Sequence, residues 1–183
     1  MTSGEGRGAR DLDALARAAR ACADAAARLG EAGVAREALA EYVPPRRIFF
    51  RTKPATMRPL GDVWRLGSLL LGADGSLYAL GHATRAAERG RPGYQDLARE
   101  ERREIAAAAL RGGYAEGTPV NYDARPLPLE AGALAAPDPA QPLGLAAGEV
   151  RVRWRAGAPL AGAPTLAAFF EERIALLVEP PGT

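Results

Sequence analysis

The sequence predicts an α+β domain: a mainly antiparallel sheet of about five strands around a central Asp-Gly hairpin, packed with three or four helices. Three observations carry this. The stretch DVWRLGSLLLGADGSLYALGHAT, Asp62 to Thr84, is apolar on both alternating faces and contains the turn dipeptide Asp74-Gly75. Helical spacing of apolar residues recurs in residues 9–29, 31–42, 95–111 and beyond Pro164. EVRVRWR, from Glu149 to Arg155, alternates as a half-solvated strand does.

Taken in order, residues 1–8 are polar and glycine-rich and are expected to lack structure. A single domain is expected over 9–179, with a helical hairpin over 9–43 and the sheet and remaining helices over 46–179. Its first helix has a seam of Leu12, Leu15, Ala19, Cys22, Ala26 and Leu29, with Asp13–Arg17 and Asp24–Arg28 as i,i+4 pairs and Gly30 as its end. The second would run from Glu31 to Tyr42 and stop at Pro44-Pro45. RIFFRT then takes strand period, and Pro54 and Pro59 bracket a loop.

A two-residue turn at Asp74-Gly75 would pair Leu71 with Tyr78, Leu69 with Leu80, Gly67 with His82 and Arg65 with Thr84. After a turn-rich link, RAAERGRPGY, a helix from about Gln95 to Arg111 turns Leu97, Ile105, Ala108, Ala109 and Leu110 inward. PVNYDA is a short strand, and 127–148 shows no clear period. The last strand turns Val150, Val152 and Trp154 inward, and the last helix takes Thr165 as its N-cap, with Leu166, Phe169, Phe170, Ile174 and Leu177 on one stripe.

With 183 residues, 48% apolar and 25% charged, the composition is that of a globular protein, and a net charge of +2 does not by itself imply a polyanionic partner. Lys53 is the only lysine, so arginine abundance reflects coding bias and is discounted as a functional sign. One cysteine, Cys22, excludes an internal disulfide and a cysteine-built metal cluster, which makes a cytoplasmic setting the expectation. No signal peptide or spanning segment is read, and no membrane partner is expected.

The chemistry available is thin. His82 is the only histidine and would have to be the base of any acyl transfer; opposite Gly67 on an apolar face it reads as packing. Cys22 lies in a helix seam, and position 50, three before Lys53, is Phe, so a serine-lysine pair is absent. Glu100 and Glu104 share a helix face among Arg99, Arg102 and Arg103, which reads as a self-neutralising surface; no metal site and no cofactor are expected.

Two groups of residues remain. Arg46, Arg47, Arg51, Lys53 and Arg58 fall in a segment without one acid between Glu41 and Asp62. Set beside the outward Arg151, Arg153 and Arg155 they would form a basic stripe able to take up phosphate groups or nucleic acid. At the hairpin's open end Arg65, His82, Thr84 and Arg85 would meet Tyr94 as a candidate binding site.

The set VWRLGSLLL, DGSLYALG, RPGY, RRE followed by AAAALRGGYAEG, then VN, VRW and EERIALL resembles a family of small, uncharacterised actinobacterial proteins sometimes automatically labelled "glutaminase". That resemblance covers most of the chain from Trp64 onward and implies an amide hydrolase, with His82 as base. The residues themselves favour a non-catalytic protein that binds a protein or an anionic small-molecule partner; the amide hydrolase is the alternative, and weak nucleic-acid binding a further one.

Overall fold

In a computed structural model the chain is described over residues 3–90, 97–135 and 138–178. It is α+β, with four helices among the described residues. Hydrogen bonds order seven strands as β7-β8-β1-β4-β5-β6-β9, and β2-β3 and β10-β11 form separate two-stranded sheets. These are β1 Glu37–Val43, β2 Arg46–Ile48, β3 Arg51–Lys53, β4 Thr56–Leu66, β5 Leu69–Gly72, β6 Leu77–Ala79, β7 His82–Arg85, β8 Pro119–Tyr122, β9 Arg125–Pro126, β10 Leu143–Ala146 and β11 Glu149–Val152. The sheet is mixed, since β1 runs parallel to β8 and antiparallel to β4. The chain divides into two compact units: Met1–Ala35, Trp64–Ala79 and Pro126–Thr183 make the first, and Arg36–Val63 with Leu80–Arg125 the second.

In the first unit, helix α1 spans Ser3–Glu31, so helix begins inside the segment expected to lack structure. Its buried seam is Leu15, Ala18, Cys22, Ala25, Ala26 and Leu29, while Leu12 and Ala19 are exposed. The helix runs past Gly30 and ends at Gly33 (φ 65°), where Val34 N bonds Leu29 O and Gly33 N bonds Gly30 O. That pair of bonds is the glycine-terminated helix end. Arg17 and Arg28 do not pair with Asp13 and Asp24; Arg17 reaches Glu149 at 3.0 Å, and Arg28 pairs with Glu171. Helix α4, Leu166–Val178, is capped as predicted by Thr165 Oγ1, which accepts from Ala168 N at 3.2 Å. It buries Leu166, Phe169, Phe170 and Ile174 against Leu29, Leu66, Leu69 and Leu71. The 127–148 stretch contains the short helix α3, Ala131–Ala135, and β10.

The central hairpin is corrected in two places. Its first arm is not one strand: Gly67 (φ 59°) and Ser68 fold it back between β4 and β5. Glycine at the first position of a two-residue loop is itself a hairpin signal. The second correction concerns the Asp-Gly turn, whose two-residue form is not present. Gly72 N bonds Ser76 O at 2.8 Å around a three-residue loop, giving Leu71↔Leu77, Leu70↔Tyr78 and Leu69↔Ala79. Positive φ falls on Gly75 (83°) and not on Asp74. Asp74 instead accepts bonds from Ser76 N at 3.0 Å and Ser76 Oγ at 2.8 Å, which hold its carboxyl below the usual carboxylate range. Its side-chain bonds compete with the primed turn and win, adding one loop residue and shifting the register by one.

In the second unit, the predicted helix over 31–42 is replaced from Glu37 by strand β1. EALAEYV fits either period. Strand prevails because Ala38, Leu39 and Ala40 are buried on both faces, between β4 and β8. The predicted 54–59 loop is mostly strand, since β4 begins at Thr56; its register against β1 shifts between Leu39 and Ala40, with Leu60 as the extra, exposed residue between Pro59 and Gly61. Helix α2, Leu97–Arg111, buries Ala107 to Ala109, while Leu97, expected inward, is exposed.

Candidate anion-binding site

Strands β1 and β4 form an antiparallel hairpin whose last pair is Val43↔Thr56. Pro44, Pro45 and Pro54 have no N–H to donate, so the ladder stops there. Past this break the chain pairs again as the β2–β3 ribbon, with Arg46↔Lys53, Arg47↔Thr52 and Ile48↔Arg51. Phe49 and Phe50 close it as a two-residue loop. Positive φ is confined to Phe49 (53°), the pattern of a turn whose first position normally holds glycine.

Every residue of the ribbon is exposed, and the two rings are 90% and 99% accessible. Its base is firm. Ala55 is buried, its carbonyl accepts Arg111 Nε at 2.6 Å, and Arg111 is itself paired with Glu104 at the end of α2. Beside it, a Cβ on Gly112 would lie 2.3 Å from Met57 O, so α2 and the root of the ribbon are in backbone contact.

The strand alternation sorts the charges. Arg46, Ile48, Arg51 and Lys53 share one face, and Arg47 and Thr52 the other. Arg46 stands directly across from Lys53, a like-charge pairing that disfavours the ribbon by itself. Glu41, the acid that precedes the segment, does not relieve it, because it is paired with Arg58, its cross-strand neighbour. Among the described residues no side chain of Arg46, Arg47, Arg51 or Lys53 is in an ion pair or a side-chain hydrogen bond.

The other half of the expected stripe lies on β11, which pairs with β10. Arg151 donates to the carbonyls of Ala146 and Ala163, and Arg153 to those of Gln141 and Ala158, so both guanidinium groups hold loops. Trp154, expected inward, is exposed, with Arg155 stacked 4.4 Å above its ring. A shallow cleft of about 260 Å³ beside α1 also contains arginines, but Arg17 and Arg28 there are spent on Glu149 and Glu171.

The strand pairing expected at the hairpin's open end is replaced by another. His82, Thr84 and Arg85 lie on β7, which pairs with β8, so His82 faces Tyr122 instead of Gly67, and Thr84 faces Val120 instead of Arg65. Arg65 belongs to the first unit, and Tyr94 lies outside the described residues. The exposed His82 ring is 5.4 Å from that of Tyr122, and Arg85 donates to Gly117 O at 3.1 Å. Burial, then Asp123, Tyr42 and Glu101, push the Tyr122 phenol up.

Cys22 is buried in the first unit and its thiol is pushed up to about 12, the state of a small apolar side chain. Glu100 and Glu104 are engaged by Arg89 at 2.7 and 3.4 Å, and no cluster of three metal-ligating side chains occurs among the described residues. No described helix is long and apolar enough to cross a membrane.

Sequence reasoning missed Asn121, the one buried polar side chain among the described residues; its Nδ2 donates to Glu37 Oε2 at 2.8 Å and Ala38 O at 3.2 Å. It also ran a single strand through Phe49 and Phe50, which instead form the turn between β2 and β3, although flanking prolines already marked RRIFFRTK as a segment fenced off from the main ladder. No protein-family model, curated protein or solved structure matches the chain.

Proposed function

We propose that this protein works by binding an anionic partner, with the β2–β3 ribbon as its contact surface. One observation carries the reading: four cations are held on a firmly rooted, exposed ribbon with no acid paired to them among the described residues. A fold that needed these charges only for solubility would intersperse both signs, and would not set Arg46 against Lys53. An anion lying between the strands converts that repulsion into attraction.

Retention on immobilised heparin tests this. Replacing Arg46 and Arg47 by Glu should move elution to clearly lower salt, because each lost contact reduces the counterions released on binding. Reversal of Arg99 and Arg102, exposed on α2, serves as the control. An equal shift in the control would reduce the effect to net charge and sink the proposal.

A further inference from the structure

The anion's identity follows from the axial order of the ribbon. We propose that its partner is the headgroup face of an anionic lipid bilayer, entered by Phe49 and Phe50; this rests on the anion-binding reading above. From the end inward the ribbon presents two bare rings, then Ile48 at 42% exposure beside Arg51, then Arg46, Arg47 and Lys53. A bilayer presents the complementary order along its normal, anionic groups above an apolar interior. Each strand has three residues, about 10 Å of chain. That matches the ~5–10 Å to which interfacial elements sink into the boundary between headgroups and acyl chains.

Nucleic acid fits less well. Proteins that stack single-stranded bases lay aromatic rings along a surface the strand can follow. Here the faces carry Arg46, Ile48, Arg51 and Lys53 on one side and Arg47 and Thr52 on the other, and both rings sit at the turn. The turn also holds a bulky residue at positive φ where glycine is the unstrained choice, although neither ring packs on the protein. An apolar pair kept at such a position is explained by a use outside the chain. The contact is peripheral, which the absence of a spanning helix among the described residues does not touch.

The test is co-sedimentation of the full chain with vesicles of phosphatidylcholine and phosphatidylserine, against phosphatidylcholine alone and against a mixed-sequence oligonucleotide. Binding is expected to require phosphatidylserine and to weaken by ~10-fold or more in Phe49→Ala/Phe50→Ala, with heparin retention unchanged. If this variant sediments as the parent does, the lipid assignment is overturned while the anion-binding reading stands. The same holds if the oligonucleotide binds through the rings and the vesicles do not bind. If neither vesicles nor heparin retains the parent protein, both fall.

Discussion

The substitution Phe49→Gly separates a residue kept for the fold from one kept for use. Phe49 adopts φ 53° and is 90% exposed, so it contributes strain and almost no packing. A left-handed L-residue costs roughly 1–2 kcal/mol, and glycine gives back about 0.5–1 kcal/mol through its greater freedom in the unfolded chain. The net expectation is a change between zero and about 1.5 kcal/mol in favour of the folded state. Phe50→Ala, at a ring 99% exposed, should add nothing. Were either ring packed, truncation would instead cost about 3–5 kcal/mol, so the alternatives differ in sign as well as size. Urea unfolding followed by circular dichroism measures the difference as a shift in midpoint at constant slope. A loss of more than about 1 kcal/mol in the double variant would refute the claim that the rings stand free. Stability retained while vesicle binding is lost is the signature of a residue selected for contact.

Further outcomes follow from the geometry at four other positions. Gly112→Ala places a Cβ 2.3 Å from Met57 O and 3.1 Å from Met57 C, backbone against backbone, and should destabilise by about 1–3 kcal/mol in the same assay. Gly30→Ala, with nothing within 4 Å and no positive φ, should be neutral or slightly stabilising. Asn121→Ala removes the donor shared by Glu37 and Ala38 O in a 1% exposed site and should cost about 1–3 kcal/mol. Asn121→Asp sets a carboxylate beside Glu37; its raised pKa makes the loss smaller in acid and larger as the pH rises. Cys22, with its thiol at about 12, should react with a thiol reagent at pH 8 on the order of 10³-fold more slowly in the native than in the unfolded protein. A native rate within about tenfold of the unfolded one would contradict its burial. The same shift is one of stability: fully present below the ordinary thiol value of 9.0, it is lost as the pH climbs toward 12.

What was legible in the sequence divides along a physical line. Helices α1, α2 and α4 and the Thr165 cap are local features, fixed by spacing and by one hydroxyl, and they are found within a few residues of their expected places, apart from the start of α1. Strand partners are set by distant residues. EALAEYV reads as helix until β8 and β4 flank it, because alanine and leucine satisfy either period and burial on both faces erases the alternation that would mark a strand. The hairpin failed through rival turn signals. Gly67-Ser68 and Asp74-Gly75 both lie within one apolar run, and reading only the second carried His82 and Thr84 toward Arg65 and away from their true partners on β8.

The candidate site shows the same division. The cations of RRIFFRTK were visible as a block without acids, but their availability was not, since Arg151 and Arg153 alternate just as well and turn out to be bound to backbone carbonyls. What distinguishes the two groups is the backbone around them. β11 is followed by a loop whose carbonyls, at Ala158 and Ala163, need donors, and the nearest guanidinium groups fill that need. Pro44, Pro45 and Pro54 instead withdraw donors on either side of the ribbon, ending the ladder and leaving a two-stranded element whose charges no described neighbour consumes. Charge that is spent and charge that is free can therefore look alike along a strand. The difference lies in the prolines beside it, which decide whether a strand joins a sheet or stands outside one.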